Sequence, residues 1–124
     1  MKLSFGKDKK LKSRKAIERL FLEGKQLRKF PLKAVYILNS NEETPKVAVS
    51  VPKKLIKKAV DRNLLKRRIR EAYRINQFKI SSKTGLNVMF IYNTNQIQNY
   101  SEIEKAMLIL LDDLNALSDA NASA

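Results

Sequence analysis

Asn63, Lys66, Arg67, Arg70 and Arg74 recur at i, i+3, i+4, i+7 and i+11 within the stretch Ala59–Arg74. At about 100° per residue these positions share one face of a helix. Arg62 sits at the edge of that face, and Arg68 projects from a different quarter. Leu65, Ile69, Ala72 and Tyr73 gather on the other side, where they can pack on a sheet. The chemistry such a surface offers is recognition of a polyanion. Guanidinium forks onto phosphate oxygens and stacks on bases, which suits RNA. Like charges at helical neighbour spacing cost one another roughly 0.2–0.5 kcal/mol per pair. Glu71 is the main relief, and a bound anion would remove the repulsion.

Bond-breaking chemistry finds little support. The 124 residues include no Cys and no His. Disulfides, thiolate zinc sites, nucleophile–imidazole pairs and imidazole acid–base catalysis are therefore excluded. Only three glycines are present (Gly6, Gly24, Gly85), so there is no phosphate-binding Walker loop and no dinucleotide fingerprint. No pair of carboxylates suggests a metal site or a catalytic dyad. Asp61 at the start of the helix favours its macrodipole, and Asp112 and Asp113 read as solvated.

The formal net charge is +14, from 26 Lys and Arg against 12 Asp and Glu. Residues 1–33 carry +9, residues 34–52 carry −1, residues 53–74 carry +8 and residues 75–124 carry −2. Two blocks thus hold the whole excess. Solubility needs a net charge of only ~2–8 in a small domain, so the blocks point to nucleic acid or an anionic membrane surface. No apolar run reaches the roughly 18–20 residues of a membrane span, and no apolar run follows the basic N-terminus as in a signal peptide. A cytoplasmic location is expected.

The elements that must position these residues follow from periodicity. One domain is expected over residues 1–124, with 1–12 a loosely ordered basic arm and 118–124 a loosely ordered tail. Ser13 can cap a helix from Arg14 to about Glu23 that ends at Gly24. Ala16, Ile17, Leu20 and Phe21 share its apolar face. Lys33–Asn39 reads as a largely buried strand, and Pro31 before it leaves room for a short extra strand or edge piece. Lys46–Val51 alternates as a strand, and the basic helix runs from Ala59 or Val60 to about Phe78. Leu86–Tyr92 is the best central strand. Ser101 and Glu104 form a capping box ahead of a last helix with Ile103, Met107, Leu110, Leu111, Leu114 and Leu117 on one face. The order α-β-β-α-β-α packs most simply as one α/β (α+β) sandwich, a sheet with helices against it.

Ser50-Val51-Pro52-Lys53-Lys54, followed by Ala59 through Arg74, closely resembles the bacterial ribonuclease P protein family. Arg19–Lys25, Ala34-Val35-Tyr36 and Leu86–Ile91 resemble that family's first helix and turn, its first long strand and the strand before its last helix. The similarity covers roughly Lys10 to Leu117. It implies a basic protein in a ribonucleoprotein that removes the 5′ leader of precursor tRNA, a magnesium-dependent endonucleolytic cleavage. The RNA subunit is the catalyst and binds most of the Mg2+. The implied partners are that catalytic RNA, with one protein per RNA, and precursor tRNA. The protein alone is implied to be non-catalytic. The resemblance also implies a left-handed β-α-β crossover through the basic helix, against the usual preference.

By the same resemblance, Arg62, Asn63, Lys66, Arg67 and Arg70 contact the RNA subunit, with Lys53 and Lys54 before the helix. Arg68 and Arg74 join them as generic phosphate contacts. The leader is implied to lie in a cleft between the first helix and the sheet, over Phe21 and Tyr36, with Ile17 where another aromatic often stands. As sequence, Phe21 and Tyr36 fit a stacking platform and a core equally well. The chain departs from the family's usual pattern at Leu64, where a second Arg is usual, and at Pro52, which replaces a frequent Ser. Its connector Leu55-Ile56-Lys57-Lys58 is one residue longer and lacks a common Gly. A ribosomal RNA-binding protein would explain the charge but not the ordered match. A protein-only nuclease would need a carboxylate cluster or base, and in a helix-turn-helix protein the basic helix would not lie between strands.

Overall fold

A computed structural model describes residues 14–38, 45–80 and 85–122, with side chains as far as 117. Expectations for the N-terminal arm, the Ser13 cap and the turns at 39–44 and 81–84 fall outside the described residues. Helix α1 (Arg14–Glu23) is followed by strands β1 (Lys25–Lys29), β2 (Leu32–Leu38) and β3 (Lys46–Ser50). Helix α2 (Ala59–Asn76) continues into a 3₁₀ turn at Gln77–Lys79, then come β4 (Leu86–Tyr92) and α3 (Tyr100–Ala122).

The sheet order is β1-β2-β4-β3. β2 lies antiparallel to β1 and β4, while β3 and β4 are parallel neighbours joined through α2. β4, an unbroken apolar run apart from Asn87, is buried along its whole length between β2 and β3. The extra strand is β1. Its sequence, Lys-Gln-Leu-Arg-Lys, has almost no strand signature. It is a strand because the turn at Phe30–Pro31 returns it alongside β2, where all five residues pair.

Alternation along the strands separates two apolar layers. Leu32, Ala34 and Tyr36 of β2, with Val47 of β3 and Leu86, Val88, Phe90 and Tyr92 of β4, meet α2 and α3 in the main core. Val35, Met89 and Ile91 face the opposite way, toward Leu20, Ala16 and Ile17 of α1. Gly24 makes the turn from α1 into β1 possible through close approach. Its N–H donates to the Leu20 carbonyl at 2.8 Å. A Cβ there would stand 2.2 Å from that oxygen and 2.8 Å from Val35 Cγ1.

Two sequence expectations about α3 need correction. The Ser101–Glu104 capping box does not form. Asn99 caps the helix instead, its Oδ1 accepting the Glu102 N–H at 2.9 Å. The Glu104 carboxylate accepts from Tyr100 Oη at 3.0 Å and from Asn76 Nδ2 at 3.2 Å, which fastens α3 to the end of α2. The segment from 118, expected as a loose tail, continues the helix to Ala122, since neither Gly nor Pro interrupts it.

Candidate nucleic-acid interface

α2 is mounted by the apolar face expected from its spacing. Leu65, Ile69, Ala72 and Tyr73 are all buried, and Tyr73 packs a tilted ring against Phe90 at 5.9 Å between centroids. The helix therefore cannot rotate without breaking the core, and its other face is fixed toward solvent. Asn63, Arg67 and Arg70 are exposed there, with Lys66 half-buried beside them. Neither Arg67 nor Arg70 has an ion-pair partner among the described residues.

The remaining cations of the helix are engaged within the protein. Arg62 Nη1 donates to the carbonyl oxygens of Ile56 at 3.0 Å and Lys57 at 2.7 Å. Those bonds hold the connector between β3 and α2, whose Leu55 and Ile56 N–H groups both donate to the Pro52 carbonyl at 3.1 Å. Buried Ile56 pins the connector to the core, leaving Lys53, Lys54, Lys57 and Lys58 exposed at the helix entrance. Arg68 Nη1 donates to the Gln98 carbonyl at 2.6 Å. Gln98 N–H in turn donates to Tyr92 Oη at 2.8 Å, so Arg68 braces the loop ahead of α3. Arg74 is half-buried and paired with Glu71, its Nε 3.2 Å from Oε2. That hydrogen bond holds the Glu71 carboxyl below its ordinary pKa. Arg62, Arg68 and Arg74 thus shape the surface that Asn63, Lys66, Arg67 and Arg70 present.

The proposed trio Ile17, Phe21 and Tyr36 does not come together. Ile17 packs in the layer beneath α1, and Phe21 on the same helix is 61% exposed. Tyr36 points through the other face of the sheet into the main core, where it is 6% exposed. Burial raises its phenol pKa. The floor below α1 comes from the alternate residues Val35 and Ile37 of β2, Met89 and Ile91 of β4, and Ala48 of β3. Sequence reasoning passed over these residues, although a signal was present. Lys33 shares the period-2 register of Val35 and Ile37, and its charge marks the side not sealed by α2 and α3. Tyr36 belongs to the uncharged set Leu32, Ala34 and Leu38.

The whole arrangement has counterparts. The family model described as Ribonuclease P matches residues 5–115. The chain belongs to the ribonuclease P protein family. A ribonuclease P protein component from Porphyromonas gingivalis is 32% identical over 108 residues, covering 82% of this chain and 79% of the relative. One from Alkaliphilus metalliredigens is 33% identical over 110 residues, covering 88% and 96%. The RNase P protein from Thermotoga maritima superposes with a TM-score of 0.71 at 25% identity, over 84% of this chain and 96% of the other. The Staphylococcus aureus RNase P protein has the same fold, with a TM-score of 0.73 over 86% and 94% at 20% identity.

Within this ribonuclease P protein fold, the basic helix is the crossover between parallel β3 and β4. Among the described residues no group of three or more Asp or Glu converges as a metal-binding set. No helix among them is long and apolar enough to cross a membrane.

Proposed function

We propose that this chain is the protein subunit of a bacterial ribonuclease P, binding the catalytic RNA and the 5′ leader of precursor tRNA during magnesium-dependent leader removal. The observation that carries the reading is the fixed basic face of α2, whose Arg67 and Arg70 have no ion-pair partner among the described residues. Exposed Asn63, Arg67 and Arg70, with Lys66 beside them, continue into exposed Lys53 and Lys54 on the connector. Such a surface neutralises phosphates, and counterion release makes its affinity depend on salt.

In this reading the catalytic RNA lies on the α2 face, and the leader crosses the α1 side of the sheet past Phe21 and Ile17. Tyr36 has no part in leader binding, because it serves the core. No residue of this chain is asked to be a catalyst or a metal ligand. Magnesium enters with the RNA, whose phosphates suit a hard cation. Residues 1–124 act as one RNA-binding domain, one protein per RNA, in the cytoplasm.

The test is reconstitution. Added to a matching bacterial ribonuclease P RNA at low magnesium, the protein should stimulate cleavage of precursor tRNA at the leader junction. No stimulation, or co-purification with ribosomes rather than with that RNA, would overturn the reading.

A further inference from the structure

Arg68 is the cation of α2 whose hydrogen bond reaches farthest along the chain. It is half-buried, and its Nη1 donates at 2.6 Å to the carbonyl of Gln98, 30 residues away. Charge-assisted bonds of this kind are short and strong. The acceptor lies in the loop 93–99, between β4 and α3. The same segment is held from below by Tyr92, which is fully buried. Tyr92 Oη accepts the Gln98 N–H at 2.8 Å and donates to the Gln96 carbonyl at 2.5 Å. A phenol has one hydrogen to donate, and this one is committed to the loop. The loop is also tied at its start, where the Asn93 N–H donates to the Pro31 carbonyl at 2.8 Å.

These bonds join parts that belong to opposite faces of the sheet. Tyr92 packs in the main core with α2 and α3. Its neighbour Ile91 points the other way, into the floor beneath α1. Tyr92 pairs with Leu32 and Ile91 with Ser50, so the turn ahead of β2 and the connector into α2 lie at the same end of the sheet as the loop. In the reading above, the catalytic RNA lies on α2 and the leader crosses the α1 side. The protein must then hold two RNAs at a fixed offset across the sheet. Misplacement by about 1 Å, even from a change far from the reacting atoms, can cost ~10²-fold in rate. Arg68 is the guanidinium that ties α2 to the strand whose other side forms the floor.

We infer that Arg68 is a positioning residue and not a phosphate contact. Through Gln98 and Tyr92 it fixes α2, with the catalytic RNA it carries, relative to the leader on the far side of β4. The inference rests on the RNA-binding reading above and adds how the two RNA sites are kept in register. Adjacent arginines thereby do different work. Arg67 is exposed, has no ion-pair partner among the described residues and neutralises phosphate, whereas Arg68 spends its charge on a backbone carbonyl.

The experiment uses the full-length protein and its reconstituted holoenzyme. The variants are Arg68→Met, which keeps an apolar stem, Tyr92→Phe, which keeps the ring, and the two combined. Circular dichroism at the assay temperature checks that each is folded. Two quantities are read: the salt dependence of affinity for the ribonuclease P RNA, and the ratio of holoenzyme affinities for precursor tRNA with and without its leader. The expected result is a parent-like salt slope in every variant. The leader ratio should fall about three- to tenfold in either single variant, the scale of one hydrogen bond. The double variant should fall no further than the worse single one, because both act on one network. A general loss of stability would lower both affinities and leave the ratio unmoved. A slope shallower by about 0.7–0.9 with Arg68→Met makes Arg68 a phosphate contact and overturns the inference. An unmoved leader ratio in the folded variants also overturns it, and Tyr92→Phe alone decides if Arg68→Met does not fold. Absence of any leader preference in the unsubstituted holoenzyme instead overturns the functional reading beneath it.

Discussion

Arg62 donates through Nη1 to the backbone carbonyl of Ile56 at 3.0 Å, with Lys57 accepting from the same nitrogen at 2.7 Å. The first turn of α2 thereby holds the segment that leads into it. The residue ahead of α2, Lys58, makes no side-chain capping bond, so the geometry of the helix entrance depends on this clamp. Arg62→Ala should cost about 1.5–3 kcal/mol of folding stability, the range for hydrogen bonds made by a charged group. Arg67→Ala, at an exposed position with no ion-pair partner among the described residues, should stay within about 0.5 kcal/mol of the parent. Urea titration of the RNA-free protein checks both. Equal stability of the two variants would remove the clamp.

Phe21 and Tyr36 answer opposite questions. Tyr36→Ala empties a place in the main core and should cost about 3 kcal/mol or more. The holoenzyme should then lose function equally on precursors with and without a leader. Phe21→Ala should leave stability nearly unchanged and weaken binding of leader-bearing precursor by ~1–3 kcal/mol if a base stacks there. Binding of leaderless tRNA should not move. Denaturation curves and paired affinity measurements separate the outcomes.

Much of this division was legible in the chain. The spacing of Leu65, Ile69, Ala72 and Tyr73 oriented α2 correctly because a helix with a single apolar face has one way to pack. β2 was harder. Nearly every residue of Leu32–Leu38 is apolar, so its alternation is faint, and only Lys33 betrays which face is which. β1 was weaker still, because a tertiary partner rather than propensity makes it a strand. The capping box was a local match overridden by contact between helices. Asn76 and Tyr100 engage Glu104, and Asn99 was available just upstream. The bonds of Arg62 and Arg68 to backbone carbonyls are invisible in a sequence, which does not show which carbonyls lie within reach of a guanidinium.

Gly24 is required by space. A methyl group at this position would meet Leu20 O at 2.2 Å and Val35 Cγ1 at 2.8 Å, so Gly24→Ala must displace backbone as well as a side chain. Overpacking of this kind costs roughly 1–3 kcal/mol. Thermal unfolding should show the loss, and RNA binding at low temperature should persist, since α2 lies on the other face of the sheet.

Alkali should unfold the protein through Tyr73. Burial against the core pushes its phenol up to about 12, above the ordinary value near 10. The folded state keeps the proton between those values while the unfolded chain releases it. The stabilisation is complete below about pH 10 and is lost as pH rises toward 12, by about 2–3 kcal/mol at most. Tyr100, also raised to about 12 by burial and its bond to Glu104, adds to the decline in the same window. Tyr73→Phe should flatten the fall in stability measured by urea titration between pH 10 and 12. An unaltered profile would show that Tyr73 ionises freely in the folded protein.

The central claim is that the exposed face of α2 carries the catalytic RNA through phosphate contacts. Its most direct measurement is the affinity of the full-length protein for a matching ribonuclease P RNA across a salt series, for the parent and for Arg67→Ala with Arg70→Ala. The parent should bind tightly, and the double variant should remain folded. The variant's slope of log K against log salt should be shallower by about 0.7–0.9 for each phosphate it no longer neutralises. A parent-like slope and affinity in the folded variant would contradict the claim.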